Sequence, residues 1–289
     1  GAAMKDVAYF AGSCLSGSEC ERLESTIMDA YFAALREHLP ASVNAENVEA
    51  EWRAVYPVAW ADFQRFMVGW SPGHRKLTDY SDATTDRAID GIKHELCSAA
   101  RSAAREAGTF IMQHRGRSID VMSKGFDTEA SDAVTEIDLA AQDIILKHLA
   151  ETIGRYDLGV LAEEGHHDES RIQKHAFWAI DPLDGTQCFV EGATGFATSI
   201  ALVSQRGETL LGVVYDPVSD RLYESVRGEG VTVNGQPISP TSCSKPTERT
   251  MWFADRSLRS HPSFDAYAKV FDVRFVGGAV MNSIQVLMH

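Results

Sequence analysis

The chain has no apolar run approaching the ~18 residues that a membrane-spanning helix needs, so no such anchor is expected. It has no basic stripe either: 27 Lys and Arg stand against 41 Asp and Glu, a net charge of −14. That balance argues against nucleic acid or an anionic membrane as partner. It also repels phosphorylated molecules at long range, so a phosphate site here needs local cations. No C-x-x-C pair occurs. The five cysteines (Cys14, Cys20, Cys97, Cys188, Cys243) are scattered and odd in number, which reads as reduced thiols and a cytoplasmic setting. Cys188 reads as a small buried hydrophobe, since nothing near it in sequence would lower its pKa. No secretory signal, internal repeat or low-complexity segment is visible. The opening Gly1-Ala2-Ala3-Met4 lacks a leading methionine and reads as a cut end.

What is present is enough for a full core: 289 residues, 44% of them apolar. That suits one large domain, or one domain plus an appendage. Residues 1–78 read as helical. Ser18-Glu19-Cys20-Glu21 offers a helix start, and Leu23, Ile27, Tyr31, Ala34 and Leu35 recur at helical spacing. An aromatic-rich pattern follows from Val48 to Val68, and Ser71-Pro72-Gly73-His74 breaks it. This front piece is too small for a convincing core of its own. Residues 79–90 are expected as a linker, and a second domain as 91–289.

A long helix is predicted from about Thr85 to His114 and another from Thr135 to Ala150. Strands are predicted at 158–161, 176–180, 197–203, 209–215, 221–226, 251–254 and 273–276. Asn234-Gly235 marks a hairpin. His261–Val270 reads as a helix, and Gly277-Gly278 opens a last one.

Carboxylates fall where strands end. Glu163 and Glu164 follow one strand, and Asp181-Pro182-Leu183-Asp184-Gly185-Thr186 ends the next. Hard divalent cations take oxygen ligands, and Mg²⁺ is commonly held by one or two carboxylates plus substrate phosphate. Asp181 is placed to bridge two ions, Asp184 reaches the same site if Pro182 forces a turn, and the Leu183 carbonyl lies between them. A helix starting at Gly185-Thr186 would offer N–H groups to an anion. Upstream, Asp138 is the candidate for orienting a water, through Thr186. On local grounds alone, plainer readings stand beside these. Asp-Pro-x-Asp-Gly is good turn chemistry, Glu163-Glu164 suits a solvated pair, and Asp132 or Thr135 suits a helix cap.

Taken in order, Val134-Thr135-Glu136-Ile137-Asp138, Ala162-Glu163-Glu164-Gly165 and Asp181-Pro182-Leu183-Asp184-Gly185-Thr186 resemble the successive motifs of the inositol monophosphatase family. Gly212-Val213-Val214-Tyr215-Asp216-Pro217 and Arg274-Phe275-Val276-Gly277-Gly278-Ala279 add to the likeness, which runs from about residue 91 to the end. The resemblance implies a layered α/β/α/β/α sandwich, usually dimeric. It implies Mg²⁺-dependent, lithium-sensitive hydrolysis of a small phosphomonoester by a metal-activated water. On this resemblance Glu163, Asp181, the Leu183 carbonyl and Asp184 hold metal, and Asp138 and Thr186 activate the water with Glu164 assisting. Gly185 and Thr186 bind phosphate, and Gly277, Gly278 and Ala279 line the alcohol side. Lys124 matches a basic residue near the metal.

Gln187-Cys188 depart from the polar pair usual in inositol-type members, which leaves the substrate open among inositol, sugar, histidinol and nucleotide phosphates. A final family motif with a last metal-binding aspartate does not occur before His289, so a truncated copy of the domain is expected. Over residues 1–75, Asp6-Val7-Ala8-Tyr9-Phe10-Ala11-Gly12-Ser13-Cys14-Leu15 and Trp70-Ser71-Pro72-Gly73-His74 resemble the C-terminal lobe of aminoglycoside-phosphotransferase-like or choline-kinase-like enzymes, which implies a kinase–phosphatase fusion. The alternative function is a non-catalytic phospholigand-binding or regulatory module.

Overall fold

The computed structural model describes residues 2–116, 121–123, 133–164, 169–239, 250–254 and 256–288. The chain divides into two compact units, Gly1–Glu95 and Leu96–His289.

The first unit is helical. Helices α1 (Ala2–Cys14), α2 (Gly17–Arg36) and α3 (Ala45–Trp70) precede α4 (Asp79–His114), whose first turns belong to this unit. The start of α2 lies slightly upstream of the expected one because Ser16 makes a capping box with Glu19. Each residue's side chain bonds the other's backbone N–H, and this satisfies two otherwise orphaned donors. The core packs Met4, Val7 and Ala8 with Met28, Phe32, Trp60 and Phe63. Of the α3 aromatics, Tyr56, Trp60 and Phe63 are core, whereas Phe66 and Trp70 are exposed. Arg87 grips Glu24 with two bonds of 3.0 and 2.8 Å, and the Tyr80 hydroxyl donates to the same carboxylate at 2.6 Å.

Residues 79–90 are not a linker but the opening turns of α4. Asp79 and Asp82 sit in its first turn, where acids favour the helix dipole. Tyr80, Ser81, Thr84 and Ala88 give it a buried face. The polar composition of the stretch hides that periodicity.

The second unit is α/β. After α4 come β1 (Val121–Ser123) and β2 (Ala133–Thr135), an antiparallel pair. Helix α5 (Glu136–Tyr156) follows, then β3 (Gly159–Ala162), the short α6 (Ser170–Gln173) and β4 (Ala176–Asp184). Next are α7 (Thr186–Val190), β5 (Ala197–Ser204), β6 (Thr209–Asp216), β7 (Arg221–Val226), β8 (Gly230–Val233) and β9 (Gln236–Ile238). The chain closes with β10 (Met251–Phe253), a 3₁₀ turn, α8 (Phe264–Ala268), β11 (Asp272–Arg274) and α9 (Ala279–Met288).

Strands β3 to β9 form one sheet in sequence order, parallel between β3 and β4 and antiparallel elsewhere. The Asn234-Gly235 turn joins β8 to β9 with both residues at positive φ, as that hairpin type requires. Strands β10 and β11 make a separate parallel pair. Helix α9 touches β4 and β5 of the large sheet and also β10, so it lies between the two sheets. The layered α/β architecture implied by the sequence is present.

Helix α5 packs on β4 through Ile137, Ala141, Ile145 and Leu149, buried residues at four-residue spacing. Trp178 is fully buried on β4, and its indole N–H donates to Thr152 Oγ1 of α5 at 3.2 Å. Trp178→Ala should therefore cost about 3–5 kcal/mol, read from the denaturant midpoint of the second unit. Among the described residues no helix is long and apolar enough to cross a membrane, and no cysteine is in a disulfide.

Candidate functional site

The site grows from an irregularity in β4. Along β4, Asp181 pairs with Ser199 and Asp184 with Ala197, so three steps on β4 face two on β5. Successive strand residues point to opposite faces, so residues three apart would normally diverge. The extra residue of this β-bulge brings Asp181 and Asp184 to the same side. A turn forced by Pro182 was expected; instead the strand continues through the proline, with its ladder shifted. Proline suits the bulge because it has no N–H to lose. Its carbonyl is still used, accepting from Thr198 Oγ1 at 2.9 Å.

Asp181 Oδ1 accepts the Leu183 N–H at 3.1 Å, an Asx turn that shapes the bulge. Glu163 follows β3, and its N–H extends the parallel ladder to the Ile180 carbonyl at 3.0 Å. This sets the Glu163 carboxyl within hydrogen-bond reach of Asp181. Burial, then repulsion by Glu163 and Asp184, pushes the Asp181 carboxyl far above the usual carboxylate range. Asp184 is buried, and burial pushes it up to about 6, although backbone N–H groups of Val280, Met281 and Ala279 oppose the shift. Its Oδ2 accepts from Val280 at 3.0 Å and Met281 at 3.4 Å, so this carboxylate also caps the first turn of α9.

Asp138 lies in the first turn of α5 and is buried. The Thr186 hydroxyl lies 3.0 Å from Asp138 Oδ1 and 3.1 Å from the Leu183 carbonyl, and its single hydrogen serves both acceptors. Gly185 stands between Asp184 and Thr186 with φ +84°, in the left-handed region. A Cβ there would lie 2.8 Å from the Gly195 carbonyl, so only glycine fits. Helix α7 has five residues and little dipole; its contribution is the local N–H groups at its start. Cys188 is buried, as expected of a small core side chain.

The Gly277-Gly278-Ala279 segment joins the same cluster. Gly278 N–H donates to the Gly195 carbonyl at 2.8 Å, and a Cβ on Gly278 would overlap the Asp184 carboxylate. Gly278→Ala should displace a carboxylate that two amides hold in place, costing about 1–3 kcal/mol by overpacking. Chemical denaturation reads that cost, and a midpoint equal to the parent's would show that the cluster yields freely.

The structure thus pairs Asp138 with Thr186, Glu163 with Asp181, and Asp184 with the 277–279 segment. Glu164 is buried beside them, gripped through its backbone. Lys124 and Asp132 lie outside the described residues. Three residues that sequence reasoning missed hold the cluster: Gln142, Thr198 and Gly195. The spacing of one helical turn puts Gln142 on the face of Asp138, but only the Glu164 backbone lying opposite gives that placement a role.

Among the described residues no set of three or more His, Cys, Asp or Glu is arranged to hold a metal ion as it stands. The donor chemistry nevertheless fits one. Glu163, Asp181 and Asp184 supply carboxylate oxygens and Leu183 a carbonyl, the hard donors a Mg²⁺ ion takes. Crowded buried carboxylates that repel one another are groups that a cation would relieve.

A family model described as "Inositol monophosphatase family" matches residues 92–288 and leaves residues 1–91 outside. An inositol-1-monophosphatase of Bacillus subtilis is 33% identical over 146 residues, 50% of this chain and 53% of that protein. A Nus factor SuhB of Pasteurella multocida is 37% identical over 142 residues, 48% of this chain and 50% of that protein. The chain therefore spans about half the length of the curated relatives it matches. Among solved structures, a Thermotoga maritima IMPase superposes with a TM-score of 0.53 at 30% identity, covering 70% of this chain and 72% of that one. Over the range in which the ordered acidic motifs, the bulged strand and the glycine cluster lie, the chain belongs to the inositol monophosphatase family.

Proposed function

We propose that this chain carries a phosphatase site that hydrolyses a small phosphomonoester, an inositol phosphate or a related sugar or nucleotide phosphate. The observation that carries the reading is the Thr186–Asp138 pair standing directly after the bulge that gathers Asp181 and Asp184. Glu163, Asp181, the Leu183 carbonyl and Asp184 would hold Mg²⁺. Bound there, the ion screens the phosphate charge and lowers the pKa of a neighbouring water.

The chain's own residues supply the rest. Thr186 Oγ1 donates to Asp138, which leaves its oxygen lone pairs to accept a water proton. The water is thereby oriented, and its proton passes through Thr186 to the Asp138 carboxylate. Gly185 and Thr186 N–H groups donate to phosphate oxygens. Gly277, Gly278 and Ala279 line the side on which the alcohol leaves, and Glu164 supports the water from behind. Attack in line with the departing alcohol requires no covalent phosphoenzyme. The absence of a basic stripe and the dispersed cysteines support a small-metabolite substrate and a cytoplasmic setting.

A phosphate-release panel of inositol, sugar, nucleotide and histidinol monophosphates, run with Mg²⁺ and with or without Li⁺, tests this. Mg²⁺-dependent, Li⁺-suppressed release from one class is the expected result. The relative named as a Nus factor favours a second reading, a non-catalytic phospholigand or regulatory module. Saturable binding of a phosphomonoester without turnover would select that reading.

A further inference from the structure

We propose that Gln142 is a positioning residue that fixes the Glu163–Glu164 turn against Asp138, and so sets the metal-binding arm of the site relative to its water-orienting arm. The inference rests on the phosphatase reading above. Gln142 lies one turn after Asp138 on α5, so both project from one face of a single helix. Its side chain is buried. Its amide nitrogen donates to the Glu164 carbonyl at 2.7 Å, and its amide oxygen accepts the Glu164 N–H at 3.0 Å.

Two bonds to one residue's N–H and C=O are what a neighbouring strand would supply. Strand β3 is the edge of the seven-stranded sheet, and Glu163 already bonds inward to β4. Gln142 therefore acts as a one-residue substitute strand on the outer side. A carboxamide suits the task because it carries donor and acceptor together. Four residues along, Asp138 takes the Thr186 hydroxyl from the end of β4. One rigid helix thus spans the ends of two adjacent parallel strands, with a rise of about 6 Å between its two grips.

The test is Mg²⁺ titration by calorimetry on the full chain, together with phosphate release measured across Mg²⁺ concentrations. In Gln142→Leu the Mg²⁺ affinity should fall about 10- to 100-fold, the scale for outer partners of metal ligands. Turnover should recover at saturating Mg²⁺. Gln142→Glu keeps an acceptor for the Glu164 N–H but loses the donor, so its affinity should lie between those of Gln142→Leu and the parent. If Gln142→Leu fails to fold, Gln142→Glu carries the test, and parent-like affinity in it overturns the inference. A variant that loses thermal stability and maximal turnover with unchanged Mg²⁺ affinity also overturns it, because that is a merely structural role. If the parent binds Mg²⁺ and the Gln142 variants bind it equally well, this inference alone fails. If the parent shows neither Mg²⁺ binding nor phosphate release, the phosphatase reading fails and takes this inference with it.

Discussion

Asp181→Asn should lower Mg²⁺-supported phosphate release by about 10³-fold or more, the scale of losing one preorganised electrostatic group at a reacting centre. Asparagine keeps the shape of the side chain and an oxygen that can accept the Leu183 N–H. What it removes is the ionisable carboxyl beside Glu163 and Asp184, which a bound cation would hold ionised. The same substitution should leave the protein at least as stable as the parent in the presence of a chelator. Burial beside Glu163 and Asp184 makes this carboxyl take up a proton on folding at neutral pH, a cost that asparagine, neutral in both states, does not carry. Loss of activity without loss of stability would separate function from folding at this position. Melting curves in chelator and phosphate release in Mg²⁺, taken on one preparation, read both. Near-normal turnover in a folded variant would mean that Asp181 is not where the chemistry happens.

Thr186→Val should reduce turnover by about 10²- to 10⁴-fold at saturating Mg²⁺, the range for losing positioned acid–base assistance. Valine fills the same volume but cannot donate to Asp138 or to the Leu183 carbonyl. Because Thr186 is not among the residues placed around the ion, Mg²⁺ affinity should remain close to the parent's. Thr186→Ser restores the hydroxyl and should recover most of the loss. Equal activity in the Val and Ser variants would show that the hydroxyl takes no part.

Much of this site was legible in the sequence because each signal is local. Asp138 opens a helix and Glu163 and Asp181 lie where strands end, and the order of their motifs along the chain carries the family resemblance. The strand at 176–180 and the Asn234-Gly235 hairpin are legible from residue type alone. What sequence could not show was the bulge. Asp-Pro-x-Asp-Gly looks like a turn, and only the register against β5 reveals a strand with one residue too many. Gln142 escaped for a similar reason. A glutamine on a helix face reads as solvated unless the edge of β3 is known to lie opposite it. Residues 79–90 look like a linker because a short polar stretch hides the buried face formed by Tyr80, Thr84 and Ala88. The first helix of the second half was clearer, since Leu96, Ala100, Ala104 and Ile111 repeat at helical spacing and are buried.

We propose that Asp181 and Asp184, drawn together by the bulge in β4, form a cation site with Glu163 from the end of β3, beside Thr186 and Asp138. Crystals soaked in Mn²⁺, an anomalously scattering stand-in for Mg²⁺, test it most directly. The prediction is an anomalous peak contacting Asp181 and at least one of Glu163 and Asp184. Its occupancy should fall sharply in Asp181→Asn crystals soaked in the same way. No peak at the bulge at saturating Mn²⁺, or a peak that survives the Asp181→Asn substitution unchanged, would contradict it.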